Sequence, residues 1–341
     1  MHRQYGKQPL ATPHTMKLAS YKDGSRDGQL VVVSRDLSTA LYANGIATRL
    51  QQVLDDWNFL SPQLEELSIS LNQGRARHAF AFDPAMCMAP LPRAFQWAGG
   101  AAFLHHVELE RKVRKAQIPD GLTTDPLIYQ GSGDHFLGAT DPVIVSSEKM
   151  GIDFSGQVAV ITGDVSMGTP PDRAMEAIRL VMLSNDVTLR HLVPGELGKS
   201  LGFLQSKPGI AFSPVAVTCD ELGAAWKGGR VHLPLQATWN GKRVGLCDAG
   251  PEMTFHFGEL IAHIAKTRHV RAGSIVGSGV VSNADPSRGY ACIADKRATE
   301  IMECGEPHTG FMRYGDTIRL EMKGVDGASV FGAIDHVVTA P

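Results

Sequence analysis

His105, His106 and Glu108 stand within four residues of one another. Imidazole and carboxylate are the groups of general acid–base work and of metal ligation. Their spacing is too tight for a facial metal site formed by these three alone. The chain holds 13 histidines, and most are read as surface or core hydrogen-bonding groups. Cys87, Cys219, Cys247, Cys292 and Cys304 are odd in number and form no CxxC pair. That argues against a structural zinc or disulfide framework and fits a reducing cytoplasm. The sequence has no GxxxxGK[ST] phosphate loop, no HExxH and no GxSxG elbow. The Gly-rich GSGVVSN at 277–283 runs into Ala-Asp-Pro rather than a helix, so it does not read as a dinucleotide cradle.

The elements that must carry this chemistry are short. Two apolar runs flank YKDGSRDGQ after Met16 and read as a β-hairpin with Gly- and Asp-rich turn chemistry. Leu50, Val53, Leu54, Trp57, Leu64 and Leu67 recur at helical spacing, and Ser61-Pro62 predicts a break into two short helices. Residues 73–93 show no period and read as a linker or domain border. Beyond Phe95, VAVIT (158–162), VVSN (280–283), TIRLEM (317–322) and VFGAI (330–334) read as strands. Helices are predicted at 106–116, 171–184 and 258–267. Strands outnumber helices without a repeated βαβ spacing, which predicts an α+β, mainly β fold.

Composition excludes several classes. The chain has 341 residues, 43% hydrophobic and 20% charged, enough apolar material for a sizeable core. A net charge of −2 leaves no basic footprint for nucleic acid. No stretch of about 18 apolar residues marks a membrane span. The opening MHRQYGKQPLATPHT lacks the apolar segment of a signal peptide. Residues 1–15 are expected to form a flexible extension.

Six ordered blocks then carry a resemblance. They are PRAFQWAGGAAFLHHVELERK (92–112), DPLIYQGSGDHFLG (125–138), GIDFSGQVAVITGDVSMG (151–168), IRLVMLSNDVTLRHLVPGEL (178–197), FLQSKPGIAFSPVAVT (203–218) and GSIVGSGVVSN (273–283). With YGDTIRLEM at 314–322, they make the chain resemble the fumarylacetoacetate hydrolase family, most closely a bacterial branch. The resemblance implies a small N-terminal domain over 16–91 and a mixed β-sandwich roll over 92–341. It also implies a homodimer, Mg²⁺ or Ca²⁺ held by carboxylates, and cleavage or rearrangement of 1,3-dicarbonyl acids in aromatic-compound breakdown.

Four carboxylates hold the family's metal. A hard dication wants anionic oxygens, and a Glu-x-Glu on a strand aims two of them the same way. By the resemblance, Gly99 stands for an Asp, Ser155 and Gln157 stand for the two Glu, and only Asp186 is kept. Each lost carboxylate removes a Coulomb contribution on the order of several kcal/mol. No tightly bound metal is therefore expected. Other residues match the family's remaining catalytic set. His106 matches the general base, and Asp295 stands where the carboxylate orienting its water is a Glu. Lys207 matches the lysine that stabilises a developing oxyanion. Tyr129 and Arg190 match residues that grip substrate oxygens. The family's Gly-Thr pair reads Gly279-Val280, which implies a less polar substrate group.

The resemblance implies an enzyme acting on a small 1,3-dicarbonyl or oxo acid, by C–C hydrolysis or related enolate chemistry without a tight metal. A cationic side chain such as Lys⁺ or His⁺ would then supply the missing positive charge. Two alternatives stand beside it. One is a conventional Mg-dependent hydrolase with ligands shifted to Asp125, Asp134 and Asp153. The other is a non-catalytic relative that binds a small acid.

Overall fold

The structure, a computed structural model, describes residues 15–118 and 120–341. Apart from Thr15, the expected flexible extension lies outside the described residues. Among these the α-helices are α1 (Leu50–Asp55), α2 (Trp57–Asn72), α3 (Leu104–Val113), α4 (Pro171–Met175), α5 (Val193–Leu197), α6 (Phe257–Ala265) and α7 (Ile293–Cys304). The fold is α+β and mainly β.

Gly156–Thr162 and Ile178–Asp186 pair antiparallel at the centre of a twelve-stranded sheet. Their side chains alternate between two cores, as the period of two requires. Val158, Val160, Val181 and Leu183 face a core shared with Leu235, Ala237, Leu320 and Met322 of a five-stranded second sheet. Ala159, Ile161, Leu180 and Met182 face a core shared with Leu50, Val53 and Leu64 of α1 and α2. Burial of each larger aliphatic chain contributes about 1.5–3 kcal/mol, so a strand buried on both faces needs no polar alternation.

That double burial explains one failed expectation. Residues 171–184 were expected to form a helix, but only Pro171–Met175 is helical and Ile178–Asp186 is a strand. A short continuous apolar run does not distinguish the two by period. A second correction concerns Pro62. The helix break falls at Asp56, and Pro62 lies inside α2. The carbonyl it leaves without an N–H partner belongs to Asn58, on the exposed face where water can serve it. VVSN at 280–283 is not a strand, and VFGAI contributes only its last residue, to Ile334–Thr339.

The hairpin is present as Lys17–Tyr21 paired with Gln29–Val33. Lys17 and Leu18 also pair with Val217 and Ala216, so the N-terminal strands continue the large sheet. Trp97–Gly100 pairs parallel with Ile275–Gly277 and antiparallel with Ile128–Gly131. These edges, the ends of the central strands and helices α3 and α7 surround the site.

Candidate active site

A cavity of about 510 Å³ is lined by Gly99, His106, Tyr129, Ser155, Gln157, Asp186, Arg190, Lys207, Gly279 and Val280, with Asp295 behind His106. The eleven residues that the resemblance aligns with the family's site therefore gather in one place.

His106 and Asp295 each sit in the first turn of their helix, α3 and α7. Their meeting joins two helix N-termini. His106 Nδ1 lies 2.5 Å from Asp295 Oδ1. A carboxylate can only accept, so in the neutral ring Nδ1 carries the proton and Nε2 keeps its lone pair free. Ser282 donates to Asp295 Oδ2 at 2.7 Å. Burial opposes charge on His106, but Asp295 and then Glu110 outweigh it and raise its pKa above the ordinary histidine value. Burial likewise opposes the Asp295 carboxylate. The imidazole and the Ser282 hydroxyl outweigh it and hold Asp295 below the usual range.

Asp186 ends a central strand and is buried. Its Oδ2 accepts from Tyr129 Oη at 2.6 Å, Lys207 Nζ at 2.8 Å and Gln157 Nε2 at 3.2 Å. Gln157, on the strand, also donates to Ser155 Oγ just before it at 3.1 Å, so these two side chains do point the same way. Lys207 donates further to Thr188 Oγ1 at 2.9 Å, and its ammonium sits 5.0 Å from the Tyr129 ring centre. Tyr129 accepts from Trp97 Nε1 at 3.0 Å. Burial and then Asp186 push its phenol well above the ordinary value, so it stays protonated and donating.

Gly99 pairs directly with Tyr129 across two strands. A Cβ at position 99 would fall inside the Tyr129 ring. The space where a ligand side chain would start is thus already filled. Gly279 has a φ of +77° and lies against the Gly100 carbonyl, so a side chain there is doubly excluded. Val280 is buried against Cys292 and Ala294.

These residues do not fit a hard divalent ion. One carboxylate remains, it is already paired with an ammonium, and Ser155 and Gln157 bring no charge. Nor do Asp125, Asp134 and Asp153 form a shifted site. Asp125 is exposed and faces His263 at 3.3 Å; Asp134 is exposed and held by Ser132. Asp153 is fully buried and takes Arg190 Nε at 2.9 Å with two backbone N–H groups. Among the described residues one trio of potential ligands, His106, Cys292 and Asp295, lies within 4.8 Å of one another. Those atoms are committed: His106 to Asp295, and Cys292 Sγ to the Asp295 N–H at 3.4 Å.

Glu110, Ser282 and Cys292 had no role assigned from the sequence, and Asp153 was read there only as a shifted metal ligand. Glu110 had a signal, since it follows His106 by four residues on one helix face. The other three are brought in by tertiary pairing.

Two family models match: "Fumarylacetoacetase N-terminal domain 2" over residues 16–93 and "Fumarylacetoacetate (FAA) hydrolase C-terminal" over residues 96–339. The chain belongs to the fumarylacetoacetate hydrolase family. Its fold is shared with a fumarylacetoacetate hydrolase from Exiguobacterium antarcticum (TM-score 0.62, 17% identity, 96% of this chain and 100% of that one). It is shared also with a maleylpyruvate hydrolase from Sphingobium sp. SYK-6 solved with manganese(II) and pyruvate (TM-score 0.63, 14% identity, 95% and 99%). A third is a probable 2-hydroxyhepta-2,4-diene-1,7-dioate isomerase from Mycobacterium abscessus (TM-score 0.64, 18% identity, 96% and 99%). At these identities the likeness shows the fold alone. A curated relative from Archaeoglobus fulgidus, recorded as an uncharacterized protein, is 22% identical over 155 residues. That match covers 46% of this chain and 58% of the relative's length. Among the described residues no helix is long and apolar enough to cross a membrane.

Proposed function

We propose that this chain is an enzyme that cleaves a C–C bond in a small 1,3-dicarbonyl or oxo acid by enolate chemistry, without a tightly bound metal. The observation that carries the reading is that one cavity holds both His106, backed by Asp295, and Lys207.

His106 Nε2 takes a proton from water, and the hydroxide attacks the acyl carbonyl carbon. The tetrahedral adduct collapses, breaking the bond to the central carbon. The released electron pair becomes an enolate. The His106 imidazolium returns its proton to that carbon, leaving a carboxylic acid and a ketone. An ammonium has three N–H groups, and Asp186 and Thr188 use two. The third is left for the enolate oxygen, where fixed positive charge lowers the barrier. Phe103, Leu127, Ile128, Val193, Phe203 and Val280 give the cavity an apolar wall, and Arg111 and Arg114 lie on it too. This combination supports an acid carrying a sizeable apolar acyl group. The reading carries with it a two-part chain divided near residue 91, a homodimer and a cytoplasmic setting.

The closure of Lys207 onto Asp186 also favours a second reading, a non-catalytic binder of small acids. A panel of acylpyruvates assayed in excess EDTA decides between them. Turnover that disappears in His106→Ala supports the enzyme. No turnover, with submicromolar binding of one acid, supports the binder.

A further inference from the structure

We propose that Arg190 is a positioning residue, which with Glu110 and Asp153 clamps together the two helices that carry His106 and Asp295. The role matched to it by resemblance is a direct grip on substrate, but its Nε and Nη1 are engaged within the protein. Its Nε donates to Asp153 Oδ2 at 2.9 Å and its Nη1 to Glu110 Oε1 at 3.3 Å. Each partner is tied to one helix of the pair. Glu110 lies on α3, one turn beyond His106. Asp153 accepts the backbone N–H of Ile293 at 2.7 Å and of Ala294 at 3.0 Å, the first two residues of α7.

The contacts close into a ring. It runs from His106 to Asp295, back to the start of α7, through Asp153, Arg190 and Glu110, and along one turn of α3 to His106. All its charged members are buried or half-buried, where an ion pair holds its geometry. Strand pairing fixes the centre of the ring, since Thr188 pairs with Asp153 and Leu189 with Ile152. A guanidinium has the rigid fork to bridge two carboxylates at once, and a lysine ammonium does not. Arg190→Lys therefore keeps the charge and removes the bridge.

The inference rests on the reading of His106 as the base, but one arm of its test is independent of catalysis. Long-range ¹H–¹⁵N spectra of the His106 imidazole give its tautomer and titration midpoint. In Arg190→Lys the midpoint is expected to fall as the Asp295 contact loosens, with Nδ1 no longer uniformly protonated. With acetylpyruvate as the probe, kcat is expected to fall about tenfold while KM stays within about twofold. A large rise in KM with kcat and midpoint unchanged would make Arg190 a substrate grip and overturn the clamp. A lowered melting temperature with all three unchanged would reduce it to a structural pair and overturn it equally. Glu110→Asp, which keeps the charge but shortens the reach, gives the same readings if the lysine variant does not fold. If the wild type does not turn over acetylpyruvate, the imidazole spectra still decide the clamp, and only the enzymatic reading is weakened.

Discussion

Lys207 Nζ lies 2.8 Å from Asp186 Oδ2. The one carboxylate that the resemblance matches to the family's ligand set is thus neutralised by a side chain of the same protein. Tyr129, whose ring fills the space beside Gly99, donates to that same oxygen. A site that would need about four anionic oxygens for a dication is instead balanced by an internal cation.

Removing that cation should be costly. Lys207→Met leaves Asp186 buried without a counter-charge, and unfolding stability should drop by about 3 kcal/mol. Chemical denaturation measures the loss. Adding Asp186→Asn should recover much of it, because a neutral amide needs no ammonium. Equal losses in the single and double variants would show that the pair is not what stabilises this corner.

Restoring a ligand at position 99 should fail by itself. Gly99→Asp drives a side chain into the Tyr129 ring and should cost about 1–3 kcal/mol through overpacking. It should create no Mn²⁺ site while Tyr129 remains. Paired with Tyr129→Ala, the clash should be relieved and the melting temperature should rise relative to Gly99→Asp. Thermal melts of the three variants check this.

The His106–Asp295 pair should give stability a bounded pH window. The His106 pKa is raised, so its contribution is complete below the unfolded value of about 6.5 and is lost as pH rises through the folded one. The Asp295 pKa is lowered, so its contribution is complete above the unfolded value of about 3.9 and is lost as pH falls through the folded one. The pair should therefore contribute most between about pH 4 and 6.5. Catalysis runs the other way at its upper edge, because the base must be neutral, so kcat should climb as pH rises above about 6.5. His106→Gln should flatten the stability profile, which urea titrations at several pH values will show.

Asp295 should matter through the imidazole it holds. Asp295→Asn can donate to Nδ1 and so favours the wrong tautomer, and kcat should fall by about 10²–10⁴ with KM little changed. Steady-state kinetics on the substrate that emerges from the acylpyruvate panel tests this. A changed KM alone would place Asp295 in binding instead.

Much of this site was legible in the chain. The two-residue spacing of Ser155 and Gln157 predicts that they point the same way, and they do hydrogen-bond each other. Ordered blocks that resemble the family single out His106, Lys207 and Asp295, and the fold places them around one cavity. What was not legible depended on pairing across the fold. Nothing local says that Gly99 faces Tyr129, because that register belongs to two strands about 30 residues apart. The strand 178–186 reads as a helix because burial on both faces erases its alternation. Asp153 reads in the sequence as one more candidate ligand, but in the fold Arg190 and the start of α7 occupy it.

Calorimetric titration of Mg²⁺ and Mn²⁺ into chelator-stripped protein tests the central claim most directly. The account predicts no saturable binding at micromolar concentrations in the wild type, with Lys207 already holding Asp186. Tight one-site binding that displaces Lys207 from Asp186 would contradict it and make the chain an ordinary metal-dependent member of its family.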